Sequence, residues 1–287
     1  MSTPSKPAEV RVFGSRPTRR TAGLNDAWRQ RGLLPYFGRR FNEKRYLRTW
    51  LGPAWLVLQP AMTLGWQLFV FVAIAQVGSD SSTPFPLRLL LGFAVWNLFS
   101  ETAFWATRSL ELNRKVLGSV RIAGLVVVVA ALAPAIVDAL VAMMFFVIGL
   151  IVYWAVEGQV YIHPSAATAL VPAGLLMLVL LGLAVGLLLS VPGAQARDVR
   201  FGLRFVLAAW YFVTPVVYPL GSVPQLFRPL VEFNPVTGAV TLVVNGVLGT
   251  GPPSVASIMA SAVGSVVAFA VGLTVFLRHE RRVLDVT

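Results

Sequence analysis

The chain has 287 residues, 56% of them hydrophobic, and a mean hydropathy of +0.73, values that place it among polytopic membrane proteins. It contains no cysteine, which excludes disulfides and thiolate metal sites. Its two histidines, His163 and His279, lie far apart in sequence and near opposite membrane faces, which excludes a histidine metal cluster. The net charge of +12 invites a nucleic-acid reading, but in a membrane protein basic residues first report topology, and no nucleic-acid partner is expected.

Residues 1–53 carry 12 Lys/Arg against three acids, Glu9, Asp26 and Glu43. No apolar stretch of signal-peptide length precedes residue 54, so the first hydrophobic segment is expected to stay as an anchor. Ser, Thr, Pro and Arg mix through residues 1–22, and residues 1–30 are expected to be a disordered cytoplasmic N-terminus. Residues 31–53 differ. Leu33, Leu34, Tyr36, Phe37, Phe41, Tyr46, Leu47 and Trp50 interleave with Arg39, Arg40, Lys44, Arg45 and Arg48. That is the pattern of a basic amphipathic helix lying in the membrane interface, its cations toward anionic headgroups.

Six membrane segments are expected within residues 54–277. The first, 54–77, contains Gln59, Pro60 and Gln67; a short acidic loop at 78–86 leads to the second, 87–106. A polar connection, 107–123, precedes an apolar run at 124–155, whose length of about 48 Å exceeds a ~30 Å hydrocarbon core, so it must tilt or project. The loop 156–165 holds Glu157 and His163, the fourth span covers 166–191, and the loop 192–204 is basic. The fifth segment is broken. A short apolar piece, 239–250, cannot cross alone; the sixth span is 255–277 and the tail 278–287 is basic. With the N-terminus inside, inner segments hold 22 Lys/Arg and outer ones 2, so both termini are expected in the cytoplasm.

The fifth segment, 205–220, is apolar and aromatic but only 16 residues long, where a straight crossing helix needs roughly 20. Pro215 and Pro219 remove two backbone donors, and Gly221, Pro224, Pro229 and Pro235 follow. Irregular backbone survives at membrane depth only where protein buries it or where it lines a watery cavity. The stretch reads as part of a translocation path, or as an interfacial loop between two ordinary spans. Small residues mark seams at Gly182 and Gly186, and at Ala260, Gly264, Ala268 and Gly272; both are assigned to packing within the subunit.

Two acids sit inside spans. As a proton-relay pair, Glu101 and Asp138 would suggest secondary transport; alternatively Glu101 pairs with inner arginines such as Arg108, and Asp138 faces a protein interior or aqueous path. The second reading is preferred, because two acids without a partner histidine make a thin relay. No nucleophile constellation and no GxxxxGK[ST] loop occur, so ATP-driven transport would need an ATPase on another polypeptide. The connection 107–123, with Leu110, Leu112, Val116, Leu117 and Val120 among its charges, reads as a short docking helix for such a partner or as a plain loop.

Several pieces carry a resemblance by their order and spacing. They are RYLRTWLGPAW at 45–55 running into Leu58-Gln59-Pro60, WNLFSE at 96–101, LNRKV at 112–116 and RDVRF at 197–201. The most telling is TPVVYP at 214–219, continued by Val223-Pro224 and NPVTG at 234–238. From about Tyr36 to the C-terminus the chain resembles the membrane (permease) subunit of ABC-2-type polysaccharide exporters, the family that moves lipid-linked O-antigen, teichoic acid and related cell-envelope glycans. It departs at Ser119-Val120-Arg121, where that family often has Phe-Pro-Arg, which bears on the shape of the docking helix.

The resemblance implies an all-α polytopic protein of the bacterial cytoplasmic (inner) membrane. Its six transmembrane helices would be preceded by the interface helix and interrupted by a re-entrant external segment between spans five and six. It implies a homodimer above two copies of a separate ATPase, which would hold ATP and Mg, with no cofactor and no catalysis on this chain. Asn113, Arg114, Lys115, Leu117 and Arg121 would couple to that ATPase. Trp96, Phe99, Phe104, Trp210, Tyr211, Phe212, Tyr218 and Phe233 would line an aromatic channel at the dimer interface. Aromatic faces suit the apolar C–H faces of sugar rings, and a processive polymer needs contacts weak enough to release each unit. Arg39, Arg40, Lys44, Arg45 and Arg48 would recruit a polyprenyl-pyrophosphate headgroup. Arginine outnumbers lysine 21 to 3, a hint of a GC-rich genome and, through it, of a cell-wall galactan as cargo. Two other readings stand beside this one: an ABC-2 exporter of a small hydrophobic compound, and a membrane enzyme acting on polyprenyl-phosphate substrates, which should cluster acids or histidines at one membrane face.

Overall fold

The computed structural model describes residues 23–45, 49–74, 83–120, 122–251 and 254–284, without the side chains of 281–284, and every element among them is helical. Arg48, Arg121, residues 1–22 and most of the 78–86 loop lie outside the described residues. Two short helices, α1 (Leu24–Arg29) and α2 (Leu34–Arg45), lead to α3 (Trp55–Leu68), which continues as a π-helical stretch, Phe69–Ile74. Then come α4 (Phe85–Leu112), α5 (Arg114–Ser119), α6 (Gly124–Ala130), α7 (Leu132–Glu157) and α8 (Val171–Gln195). The chain closes with α9 (Arg197–Val213), α10 (Arg228–Glu232), α11 (Thr237–Leu248) and α12 (Val255–Leu284).

The second long helix, α4, is apolar on nearly all its faces, and such a helix belongs in the middle of a bundle. Helix α8 lies along it because two glycines one turn apart permit the approach. A Cβ on Gly182 would meet the Thr102 side chain and the Phe99 carbonyl, and one on Gly186 would meet Ala106. On another face of α8, Gly272 of α12 sits against the Ala184 backbone, and Gly264 of α12 against Pro235. Both small-residue seams therefore close contacts within this subunit. Helix α2 buries Phe37, Gly38 and Phe41, with Gly38 against Ala133, so the basic helix is fastened to the bundle by its aromatic face.

Among the described residues, five stretches are long and apolar enough to cross a membrane: Gly52–Ile74, Phe85–Leu112, Gly124–Glu157, Ala166–Gln195 and Val255–Glu280. The third has 34 residues, in keeping with the over-long apolar run. Neither α9, at 17 residues, nor α11, at 12, has that length. The basic loop expected at 192–204 is instead helix on both sides of Ala196, whose extended backbone alone separates α8 from α9. The polar connection expected from residue 107 is also helical to Leu112, and Leu24–Arg29, inside the stretch expected to be disordered, forms α1. In each case tertiary anchoring decides. Arg200 donates to the Gly193 carbonyl across the α8–α9 bend, and Gln30 just after α1 accepts the Ala123 amide at 2.9 Å.

The start of α6 is capped from the far end of the chain. Glu280 of α12 accepts the Gly124 N–H at 2.6 Å, and its carboxylate is 5% exposed. A carboxylate at a helix N-terminus satisfies an otherwise orphaned donor and complements the helix dipole.

The glycine seam gives a direct test. Gly186→Ala forces α4 and α8 apart and should cost about 1–3 kcal/mol, seen as a lower thermal-unfolding midpoint in detergent. Gly202→Ala, on α9 with nothing within 4 Å of a new Cβ, should leave the midpoint unchanged or raise it.

Candidate functional site

Helix α9 owes its position to two stripes. Leu203, Leu207 and Tyr211, one turn apart, are buried. Phe201, Phe205 and Phe212 project from another face and are 53%, 76% and 59% exposed. These three rings form one wall of a cleft of about 590 Å³. The facing wall comes from Gln59, Pro60, Thr63 and Gln67 of α3, and the back from Phe93, Trp96, Asn97, Ser100, Glu101 and Phe104 of α4. Tyr211 donates its hydroxyl to Gln67 Oε1 at 3.1 Å, joining the α9 and α3 walls. Trp96 packs edge-on to Phe99 and Tyr211, with ring centroids 5.2 and 5.6 Å apart.

One end of the cleft is charged. Arg45 of α2 forms an ion pair with Asp138 of α7, both side chains mostly out of solvent, and its guanidinium lies 5.4 Å from the Trp105 ring centre. Arg204 stacks over Phe104 at 3.7 Å. A second pocket, about 430 Å³, continues from there, lined by Arg108, Glu111, Arg197 and Arg200, and shares Phe104, Phe201 and Arg204 with the first. Of the inner arginines expected to pair with Glu101, Arg108 instead approaches Glu111, one turn along the same helix, at 3.9 Å, while Arg204 is among the charges that act on Glu101. Glu101 and Asp138 both line the cleft, and the partner of Asp138 is a residue of the basic helix 93 positions away.

Beyond α9 the chain turns back on itself, and one asparagine holds the return. Asn234 accepts from the Trp210 indole at 3.0 Å and from the Val236 amide at 3.1 Å, while its own amide donates to the Thr214 hydroxyl at 3.0 Å. That hydroxyl in turn donates to the Trp210 carbonyl at 3.0 Å. Helix α11 then starts with its donors met, since Ser261 of α12 accepts the Ala239 amide at 3.1 Å. Gly238 is required there, because any Cβ would strike the Ser257 backbone. Almost all of α11 is buried against α8 and α12, which is how a twelve-residue helix too short to cross a membrane is kept from lipid.

Of the expected channel residues, Trp96, Phe104, Tyr211 and Phe212 line the cleft. Phe99 is fully buried behind it, against Trp210 at 5.3 Å between ring centres. Tyr218 bonds to the carbonyls of Phe212 and Val213, and Phe233 is exposed on the return segment, both away from the cleft. Phe201, Phe205 and the polar Thr63, Asn97 and Ser100 were not anticipated; the i, i+4 spacing of Phe201 and Phe205 on α9 was the available signal.

The expected anion-recruiting residues divide. Arg39 pairs with Glu43 at 2.7 Å on the exposed side of α2, and the half-buried Arg40 reaches the Tyr36 hydroxyl. Lys44 and Arg45 turn inward. Lys44 donates to the Leu112 carbonyl, and burial followed by the neighbouring Arg40 charge lowers its pKa from the usual lysine value. Of the expected coupling residues, Arg114 and Lys115 are exposed on α5, whereas Asn113 and Leu117 are buried and anchor it, Asn113 donating to the Ser109 carbonyl at 3.0 Å.

Comparison with known proteins agrees with this architecture. The family model described as ABC-2 type transporter matches residues 39–248, nearly three-quarters of the chain. The chain belongs to that family. The ABC-2 transporter chain is similar to the O-antigen export system permease protein RfbA of Myxococcus xanthus, 24% identical over 202 residues that cover 70% of this chain and 73% of the relative. It is also similar to polysialic acid transport protein KpsM of Escherichia coli, 21% identical over 234 residues covering 82% of this chain and 88% of the relative.

Two substitutions test how this transporter holds its cleft. Breaking the Arg45–Asp138 pair with Asp138→Asn alone should cost up to about 3–5 kcal/mol, because a mostly buried guanidinium loses the carboxylate bonded to it. The double variant Arg45→Met/Asp138→Leu should recover most of that loss in a double-mutant cycle read by thermal unfolding. Asn234→Ala leaves the Trp210 indole and the Val236 amide without their acceptor and should cost about 1–3 kcal/mol for each group left unpaired.

Proposed function

We propose that this chain is the permease of an ATP-driven exporter that carries a polyprenyl-pyrophosphate-linked polysaccharide across the bacterial inner membrane. The observation that carries the reading is the cleft, in which three exposed phenyl rings on α9 face three polar side chains on α3. Polar groups facing hydrocarbon are costly, so these side chains mark a hydrated path. Rings stacked along the same path suit a cargo whose surface alternates C–H faces and hydroxyls. The names of RfbA and KpsM, as O-antigen export and polysialic acid transport proteins, support the same cargo class.

In this reading the broken stretch 205–220, most of it on α9 and too short for a straight crossing, makes the fifth of six passages within residues 54–277, and the chain from there to Leu248 is the re-entrant external segment. Residues 31–53 serve as the interface helix and 278–287 as the cytoplasmic tail, with both termini in the cytoplasm. Two copies meet with their clefts facing, so that Trp96, Phe104, Tyr211 and Phe212 from each line one channel, with Phe99 and Trp210 packed behind them and Tyr218 and Phe233 at the outer mouth. Arg39, Arg40 and Arg48 draw the pyrophosphate end of the lipid to the inner face, while Lys44 and Arg45 hold the helix that carries them. Two ATPase subunits, which hold ATP and Mg, dock on Arg114, Lys115 and Arg121, with Asn113 and Leu117 seating that segment. A galactan is the cargo that the arginine-rich composition favours.

Co-reconstitution of the chain with its ATPase in proteoliposomes tests the reading. ATP-dependent movement of a lipid-linked glycan into the lumen is the expected result, and Phe205→Ala with Phe212→Ala should lower its rate about tenfold at equal protein abundance. Movement of small hydrophobic compounds with none of glycan would overturn it.

A further inference from the structure

The two long walls of the cleft differ in chemistry. On α3, Gln59, Thr63 and Gln67 recur every four residues and all line the cleft, so a polar group appears about every 6 Å along the path. Leu58, Met62 and Trp66, on the same helix, are exposed and lie outside it. The polar set is a minority on an otherwise apolar span, and it is gathered on the side that faces the rings of α9. The remaining hydrogen-bonding capacity also points into the space between the walls. Thr63 donates to the Gln59 carbonyl at 3.0 Å, which leaves its oxygen free to accept. Gln67 uses its carbonyl for Tyr211, which leaves its amide N–H groups to donate. The side chain of Gln59 offers both. Asn97 and Ser100 of α4 extend the same polar surface to the back of the cleft.

We propose that Gln59, Thr63 and Gln67 form a hydrogen-bonding track that reads the hydroxyl edges of the cargo while the α9 rings take its C–H faces. The proposal rests on the glycan reading above and adds what selects the cargo and how it is held. A polymer flattened between the walls meets rings on one side and donors and acceptors on the other, so its ring planes are turned toward α9. Each hydrogen bond on the track exchanges with water, so successive units are released as readily as they are held. An apolar cargo would leave these polar groups dehydrated and unpaired, and is rejected for the same reason that a site built for a hydroxyl rejects an analogue lacking it.

The cysteine-free sequence makes the track directly accessible to experiment. Single replacements Gln59→Cys, Thr63→Cys, Gln67→Cys and Met62→Cys in the full chain with its ATPase are treated with a membrane-impermeant thiol reagent. Labelling at 59, 63 and 67 should be at least tenfold faster than at 62, and bound glycan should slow it. Rates at the three positions no faster than at 62 would overturn the track. The second arm measures ATP-driven export by Gln59→Leu/Thr63→Val/Gln67→Leu, with Met62→Leu as control, for a native glycan and for the same glycan O-methylated. Wild type should favour the native cargo by about tenfold, and the triple variant should lose that preference. If the triple variant is not produced, the isosteric Thr63→Val alone should lower the preference about threefold. An unchanged preference overturns the track while leaving glycan export intact. Failure of the wild type to move any glycan instead overturns the cargo reading on which the track depends.

Discussion

A buried peptide group left without a hydrogen-bond partner is costly, and the return segment after α9 is where this chain meets that demand without a regular helix. Two prolines in Thr214–Pro219 delete donors, and the turn leaves further groups outside any helical ladder. Asn234 ties the two ends of the turn together, bonding the Trp210 indole of α9, the Thr214 hydroxyl at the break and the Val236 amide just before α11. Because those groups come from both ends of the excursion, one side chain fixes where α9 stops and where α11 begins. The aromatic face of α9 and the burial of α11 both follow from that closure.

The basic helix is held by a different force and to a different end. Its aromatic residues are buried against α6 and α7, its Lys44 closes the carbonyl end of α4, and its Arg45 reaches Asp138 inside the bundle. A charge pair this far from bulk water is weak evidence of stability, since desolvation offsets much of the attraction. Its value lies in geometry: a single register of α2 against α7 satisfies both partners. The ion pair also keeps a carboxylate at the edge of the cleft from standing alone beside the path.

Much of the architecture could be read from residue order. Long apolar runs located the five described helices that are long and apolar enough to cross a membrane, and the excess of arginine in alternate connections set their expected sense. The proline-rich break and the buried short helix after it were visible as a half-length apolar stretch followed by NPVTG. What escaped was contact at long range. Arg45 looked like one of five equivalent surface cations, because nothing in the pattern of residues 31–53 reveals which side meets Asp138. Continuity of helix through residues 197–204 was hidden for a related reason. Arg197, Arg200 and Arg204 read as a solvated loop, whereas Arg204 lies on an aromatic ring and Arg200 caps the preceding helix. Gln59 and Gln67 of the first span were noticed singly and Thr63 was not; their common direction needed α9 beside the same cleft to acquire meaning.

The carboxylate of Glu280 on the amide of Gly124 joins positions 156 residues apart. The ribosome delivers Gly124 well before Glu280, and domains settle progressively as the chain emerges. Until α12 is in place, the start of α6 carries an open donor at the spot where the segment from α5 enters it. Closure of that single bond therefore reports that α12 has docked: before it, the corner between α5 and α6 is loose, and after it, the corner is tied.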